Sequence, residues 1–344
     1  MIKVLDCTLR DGGYINNWRF GYYEIKSIIN EMEKTNIDIL EIGFLKDEPY
    51  QADRTIFNST SQISKLISNR KNKMQYAAMI EAASPIPVNQ IEPCSKETID
   101  IIRVVIWKTK YDKYGNIVNN LMDSYEYCRH IVEKGYKLCI QPARIDQYTY
   151  EEFISMIKLF ETLNPMAIYI VDSWGILNIE QILKYVKIAD ENMKQEIAIG
   201  YHGHNNMMQV FASAAEFICY STNRDLIVDG SIYGIGRGAG NLNLEIFVKY
   251  LNNKGYKKYQ MEPIYRIYEK YISRIYEKHK WGYNFYYLLT AIYHCNPNYA
   301  EYLGNKKNIS VSEFENVLRI MNEKERIIFS KEKADEYAKA IKEI

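Results

Sequence analysis

Ile197-Ala198-Ile199-Gly200-Tyr201-His202-Gly203-His204-Asn205-Asn206 begins as an apolar run and ends in two histidines. In an extended strand, residues two apart point to the same side, so His202 and His204 aim two imidazoles at one point. Two like-facing histidines at a strand end suit half of a metal site. An isolated His-x-His is read equally well as polar loop, so the rest of the chain decides.

Working outward, the same kind of short apolar run recurs eight times: Ile2 to Cys7, Ile37 to Phe44, Gln75 to Ile80, Ile101 to Trp107, Lys137 to Gln141, Ala167 to Val171, Ile197 to Tyr201 and Leu226 to Asp229. The runs are mostly unbroken rather than alternating, as expected of parallel strands covered on both faces. Between them lie amphipathic segments at helical spacing: Tyr22 to Lys34, with Ile25, Ile28, Ile29 and Met32 on one side, then Ser124 to Lys134, Glu151 to Leu163, Ile179 to Asn192 and Met207 to Cys219. Alternation of this kind predicts an α/β fold, a (β/α)8 TIM barrel. A doubly wound open sheet is the alternative, but nothing after the first strand has its glycine-rich dinucleotide fingerprint. Beyond residue 260 no strands are expected. Pro263 to Lys280, Tyr286 to His294, Ser310 to Met321 and Lys331 to Ile344 read as helices, with turns at Asn296-Pro297-Asn298 and Gly304-Asn305. The expected division is a barrel over residues 1–260 and a small helical C-terminal domain over 261–344.

The chain has 344 residues, 47% hydrophobic and 25% charged, the balance of a globular protein with a large core. Its 44 Lys and Arg nearly cancel 43 Asp and Glu, which gives no electrostatic case for nucleic acid or a membrane surface as partner. No apolar run has the length of a membrane span, and the N-terminus reads as a strand rather than a signal sequence. The six scattered cysteines, with no Cys-x-x-Cys pair, read as reduced thiols, and a cytoplasmic enzyme is expected.

In a barrel of this type the residues that follow each strand gather on one face and form the active site. The first strand delivers Arg10 and Asp11, then Gly12-Gly13. The second carries Glu41, a carboxylate inside an apolar run that needs a partner. The sixth ends in Asp172-Ser173-Trp174-Gly175, the seventh in His202 and His204. The eighth gives Asp229-Gly230-Ser231 and then Gly234-Ile235-Gly236-Arg237-Gly238-Ala239-Gly240-Asn241. That loop lacks the Gly-Lys-Ser/Thr ending of a phosphate-binding P-loop, and its glycines are read as letting the backbone run close to a buried site with Asn241 presented to it. Asp11, His202 and His204 offer one carboxylate and two imidazoles, a set that leaves positions open for substrate, as catalytic metal sites do. Arg10 beside them supplies fixed positive charge for a developing oxyanion.

At these residues the chain resembles a known family. Thr8-Leu9-Arg10-Asp11-Gly12, His202-Gly203-His204-Asn205-Asn206 and Gly236-Arg237-Gly238-Ala239-Gly240-Asn241-Leu242-Asn243-Leu244-Glu245 are similar to the signature segments of the metal-dependent aldolase, lyase and acyl-condensing barrels. That family includes 3-hydroxy-3-methylglutaryl-CoA lyase, 2-isopropylmalate synthase and 4-hydroxy-2-oxovalerate aldolase. Asp172-Ser173-Trp174-Gly175 and the Gly-Ala-Gly-Asn loop most resemble the aldolase branch, and the likeness spans residues 1 to 250.

The resemblance implies roles. Asp11, His202 and His204 would be metal ligands, with Asn241 a further one as in the lyase branch. Arg10 would stabilise the enolate, Ser173 would help hold the substrate carboxylate, and Glu41 would support the site from the second strand. The branch's general-base histidine is replaced here by Tyr14, which leaves three alternatives: a tyrosine of lowered pKa, a water or another residue, or a different substrate. A C-terminal tyrosine of that branch has counterparts in Tyr283 or Tyr287. The activity implied is an aldolase acting on a 2-oxo acid and an aldehyde with Mn2+ or Mg2+ in preference to Zn2+. Alternatives are a Claisen-type enzyme joining an acyl-CoA to a 2-oxo acid, and a non-catalytic barrel. Such barrels commonly form homo-oligomers, and aldolases of the branch pair with an aldehyde dehydrogenase, though no surface in the sequence identifies either contact.

Overall fold

The computed structural model describes residues 1–67, 73–112, 114, 116–256, 258–304 and 309–342. Eight strands, β1 Ile2–Asp6, β2 Ile39–Leu45, β3 Gln75–Glu81, β4 Ile101–Ile106, β5 Lys137–Pro142, β6 Ala167–Asp172, β7 Ala198–Gly203 and β8 Leu226–Gly230, run parallel, each beside the next. β1 pairs with β8 (Asp6 opposite Gly230) and also with β2 (Leu5 opposite Ile39), so the sheet closes on itself. This is the expected (β/α)8 barrel, and the closing pair excludes an open sheet.

Strand alternation sorts the side chains into two layers. Val4, Leu40, Ile42, Ile102, Val104, Ile199 and Tyr201 join the large core shared with the helices. Leu5, Ile39, Ile101, Tyr169, Val171, Ala198 and Ile227 form a separate cluster inside the barrel. By the same parity Glu41, Arg103, His202 and Asp229 fall on the inner face, each buried. Gly200 belongs to that face as well. A Cβ there would lie 2.4 Å from the Tyr169 ring, so the tyrosine fills space that any other residue would need.

Among the described residues, the longer helices that cover the barrel are α1 Tyr22–Met32, α2 Leu121–Glu133, α3 Tyr150–Phe160, α4 Ile179–Asn192, α5 Val210–Cys219 and α6 Leu244–Asn253. α1 buries Ile25, Ile28, Ile29 and Met32, the stripe read from the sequence. α2, α3 and α4 begin at reciprocal capping boxes, Asn120 with Asp123, Thr149 with Glu152 and Asn178 with Gln181, which satisfy amides the first turn leaves free.

The strand–helix alternation is not fully regular. After β3 the chain forms a single 3-10 turn, Val88–Gln90, in place of a helix. Pro85, Pro87 and Pro93 explain it, since each fixes φ and removes a backbone donor. After β4 an antiparallel hairpin, Thr109–Tyr111 with Ile117–Asn120, was not expected.

The C-terminal region is helical, as read: Met261–Ile267 continuing to Lys278, then Phe285–Ile292, Val311–Ile320, Glu323–Ile327 and Lys331–Lys342. The expected turn residue Asn305 and the helix end at 343–344 lie outside the described residues. Ile264, Ile267, Ile272 and Trp281 pack into the barrel's core, whereas Leu289, Cys295, Tyr299, Leu303, Phe314, Val317 and Leu318 form a core of their own. The barrel's core thus extends past residue 260 to Trp281 and takes in Ala291, and a two-domain division at residue 260 stands as our proposal. No helix among the described residues is long and apolar enough to cross a membrane.

Candidate active site

A cavity of about 1280 Å³ opens at the C-terminal ends of the strands. Arg10 and Asp11 after β1, Gln141 of β5, Ser173 after β6, and His202 and His204 at the end of β7 line its floor. Its outer wall includes Lys110 of the hairpin, Arg237 of the glycine-rich loop, and Tyr287, Asn296 and Asn298 of the C-terminal region.

Asp11, His202 and His204 are all buried and present ligand atoms within 4.8 Å of one another. Around them runs a closed circuit of charge. Arg10 Nε donates to Glu41 Oε2 at 2.7 Å, and Arg103 Nη1 lies 2.8 Å from the same oxygen. Arg103 Nη2 contacts Asp229, Asp229 Oδ2 lies 3.0 Å from His202 Nδ1, His202 Nε2 lies 3.6 Å from Asp11 Oδ2, and Asp11 contacts Arg10 Nη1. Burial alone would raise the Asp229 carboxyl, but Arg103 and then His202 outweigh it and hold it below the usual range. An ionised carboxylate only accepts, so His202 Nδ1 carries a hydrogen toward Asp229, which leaves Nε2 turned toward Asp11. Asp11 is likewise lowered, burial being overcome first by the Arg10 guanidinium, with Arg237 N also donating to its Oδ1. Burial lowers His204 to about 3, leaving a neutral imidazole, the form that ligates metals.

The residues fit a divalent cation on two grounds. His204 Nδ1 and Asn241 Oδ1 are buried with no hydrogen-bond partner. The circuit also sets two guanidinium groups (Arg10, Arg103) against three carboxylates (Asp11, Glu41, Asp229), a deficit of positive charge in a buried site. Asn241 is bridged to His204 through the backbone, and its amide nitrogen donates to Ile235 O at 3.0 Å. Gly236 makes this approach possible, because a Cβ there would meet Asn241 at 2.1 Å and Asp11 at 2.7 Å.

The HMGL-like family matches residues 1–269. The chain belongs to that family. The chain is 22% identical to a 4-hydroxy-2-oxovalerate aldolase of Bacillus cereus over 259 residues, 74% of this chain and 71% of that protein. It is equally similar, 22% over 261 residues, to an oxaloacetate decarboxylase of Mycobacterium tuberculosis, covering 74% of this chain and 70% of the relative. Among solved structures, the N-terminal domain of a candidate aldolase from Bacteroides vulgatus superposes with TM-score 0.73 at 22% identity, over 93% of this chain and all of that one, a likeness of fold. Family and relatives together support a lyase- or aldolase-type function.

The geometry brings together most residues expected of an HMGL-like site. Ser173 lines the cavity and accepts from Arg144 N at 3.0 Å. Glu41 makes no approach to the cavity and acts on Arg10 and Arg103. Tyr14 lines the cavity with 43% of its surface open, its ring edge-on to Trp18. The protein around it raises its pKa, Arg237 only partly opposing, so the expected option of a tyrosine with lowered pKa is not met. Tyr283 stays outside the cavity, half exposed against Phe285, while Tyr287 lines it. The reason is local: Asn284 caps the helix by accepting from Tyr287 N, so Tyr283 precedes the helix and Tyr287 lies in its first turn.

Four residues were missed. Arg103 interrupts Ile101-Ile102-Arg103-Val104-Val105, and a charge inside an apolar strand was the available signal. Asp229 was noted at a strand end but given no role. Gln141 lines the cavity with its amide nitrogen buried and unpartnered. His279 lines the cavity from the C-terminal side, and nothing in its surroundings in the sequence marks it.

Proposed function

We propose that the protein is a divalent-metal-dependent aldolase that makes or cleaves a carbon–carbon bond through the enolate of a pyruvate-type 2-oxo acid, with an aldehyde as the other component. The observation that carries this is the buried Asp11–His202–His204 cluster with Arg10 beside it: Arg10 gives Nε and Nη1 to Glu41 and Asp11 and keeps Nη2 buried without a partner. The two named relatives support the same half-reaction, since 4-hydroxy-2-oxovalerate and oxaloacetate are both 2-oxo acids whose cleavage leaves a pyruvate enolate.

Asp11, His202 and His204, with Asn241 as a further donor, would hold the cation, and the mixed nitrogen and oxygen donors suit Mn2+ or Mg2+, with Zn2+ as the alternative. Such an ion supplies Lewis acidity toward the keto and carboxylate oxygens of the 2-oxo acid. The chain's own groups do the rest. Arg10 Nη2 donates to the oxygen that becomes the enolate oxygen, placing charge where it develops. Ser173 Oγ holds the carboxylate. In the cleavage direction the C4 hydroxyl gives its proton to a water in the cavity, the C3–C4 bond breaks as the C4–O bond becomes the aldehyde carbonyl, the C3–C4 electron pair becomes the C2–C3 enolate, and a proton returned to C3 completes pyruvate. Tyr14, with a raised pKa, serves as a neutral hydrogen-bond donor to the aldehyde oxygen rather than as a base.

Purified protein loaded with Mn2+ is expected to bind about one ion per chain by elemental analysis and to exchange the C3 protons of pyruvate for deuterium, followed by NMR. Asp11→Asn and His202→Ala are expected to lose both. Full metal content and exchange in either variant would sink the assignment. Thiol release from acetyl-CoA with a 2-oxo acid would favour the Claisen reading, and no stoichiometric metal under any loading a non-catalytic barrel.

A further inference from the structure

On the outer wall of the cavity two arginines, Arg237 and Arg144, keep guanidinium N–H groups that no other described residue engages. Arg237 reaches from the barrel's glycine-rich loop to the C-terminal region, where its Nη2 donates to Asn298 Oδ1 at 3.1 Å and Asn296 Oδ1 at 3.3 Å. Both partners are neutral amides, and no hydrogen bond is seen for its Nε or Nη1 among the described residues. The backbone of the same residue donates to Asp11 Oδ1 at 3.0 Å, so Arg237 adjoins the metal cluster.

Arg144 is the second cation. It is 4% exposed and stacks on Trp174 with its guanidinium carbon 3.2 Å from the ring centroid. Its Nε and Nη2 are bound to Asp146, the latter at 2.6 Å, while Nη1 is buried with no partner on a residue that lines the cavity. Both arginines line the cavity that Asn296 and Asn298 of the C-terminal region also line, and Arg237 bonds both asparagines. Lys324 and Lys280 line the same wall. Of the carboxylates facing the cavity beyond the floor, Glu81 is engaged by Lys110 at 3.5 Å and by Trp107 at 2.9 Å, which leaves Glu301.

A buried guanidinium nitrogen without a partner is costly unless a ligand completes it, and guanidinium forks match carboxylate and phosphate oxygens. We propose that the outer cavity is a subsite for an anionic group, a carboxylate or phosphate carried by the aldehyde, bound by Arg237 and Arg144 and built by the C-terminal region through Asn296 and Asn298. This deepens the aldolase reading and rests on it for the identity of the second substrate.

Matched pairs test it. Isothermal titration of the metal-loaded protein with glycerol 3-phosphate and with succinate, against glycerol, measures the anion site without catalysis. Binding of an anion is expected to weaken at least tenfold in Arg237→Met and less in Arg237→Lys, with Arg144→Lys and Asn298→Ala reporting the second cation and the positioning amide. Condensation with pyruvate is then compared for glycolaldehyde phosphate over glycolaldehyde, and for succinic semialdehyde over butanal. The pair with the larger kcat/KM ratio identifies phosphate or carboxylate, and that ratio is expected to fall at least tenfold in Arg237→Met. No anion binding by the wild type, or binding and ratios indifferent to Arg237, overturns the subsite. Absent deuterium exchange into pyruvate overturns the aldolase reading instead, while the titration still decides whether the anion site exists.

Discussion

The floor and the outer wall of the cavity are both rich in arginine, and they pair it to different degrees. On the floor, Arg10 and Arg103 each contact two carboxylates inside the barrel. Two carboxylates on each guanidinium fix its geometry, and on Arg10 they still leave Nη2 without a partner. On the wall, Arg237 is held by two neutral asparagine oxygens, and Arg144 shares one carboxylate, Asp146, and keeps Nη1 without a partner. A guanidinium with fewer carboxylates has more charge left for a ligand. The difference teaches that the extent of pairing, more than residue type, separates a scaffold arginine from a binding one.

The largest effect should come from breaking the floor. Arg103→Met leaves Glu41 and Asp229 facing one another without their shared cation, and loss of one member of a buried ion network costs roughly 3–5 kcal/mol. Urea denaturation should read that loss; a change of under about 1 kcal/mol would mean that the circuit is not a structural unit. Asp229→Asn sharpens the same point with a gentler change. It exchanges the anionic acceptor that fixes the His202 tautomer for a neutral amide that can present either oxygen or nitrogen to Nδ1, and metal affinity should fall about 10- to 100-fold while the barrel stays folded, measured by metal titration and circular dichroism.

Moving toward the wall, Tyr14→Phe should slow condensation with an aldehyde by about tenfold and change pyruvate deuterium exchange by less than about threefold, a split expected of a donor to the aldehyde rather than of the base. Equal losses in both steps would return Tyr14 to the base role. A pH effect lies behind the floor, at Asp6. Burial pushes its carboxyl up from 3.8 to about 7 in spite of two hydrogen bonds from Thr8. A folded pKa above the unfolded one means that the contribution to stability is full below the unfolded value and is lost as pH rises through the folded value. Stability should therefore decline between pH 4 and 7. Asp6→Asn should flatten that part of the profile in thermal melts across pH; an unchanged slope would assign the decline to another group.

Much of the barrel could be read in advance because its strands are covered on both faces and therefore appear as unbroken apolar runs. The run from Ile197 to Tyr201 was found at its true place for that reason, and parity then put His202 and His204 together. The missing helix after β3 is marked by Pro85, Pro87 and Pro93, a signal that apolar spacing alone does not carry. The hairpin after β4 carries exposed Tyr111, Ile117 and Val118 and has no hydrophobic pattern tied to a core. Arg103 was legible as a charge in an apolar strand, but its two partners were not.

By itself the sequence determined the number of strands and their order along the chain, the shared side of His202 and His204, and the placing of Asp11 at a strand end on the same face of the barrel, because each follows from local periodicity and from the rule that strand ends converge. The tertiary structure alone decided that Arg103 would share Glu41 and Asp229, that Tyr287 rather than Tyr283 would reach the cavity, and that Asn296 and Asn298 would meet Arg237. Those contacts join residues 59 to 126 positions apart, and no local pattern encodes which buried charge will find which partner once the barrel closes. The two histidines were given by a strand; the company they keep was given by the closure.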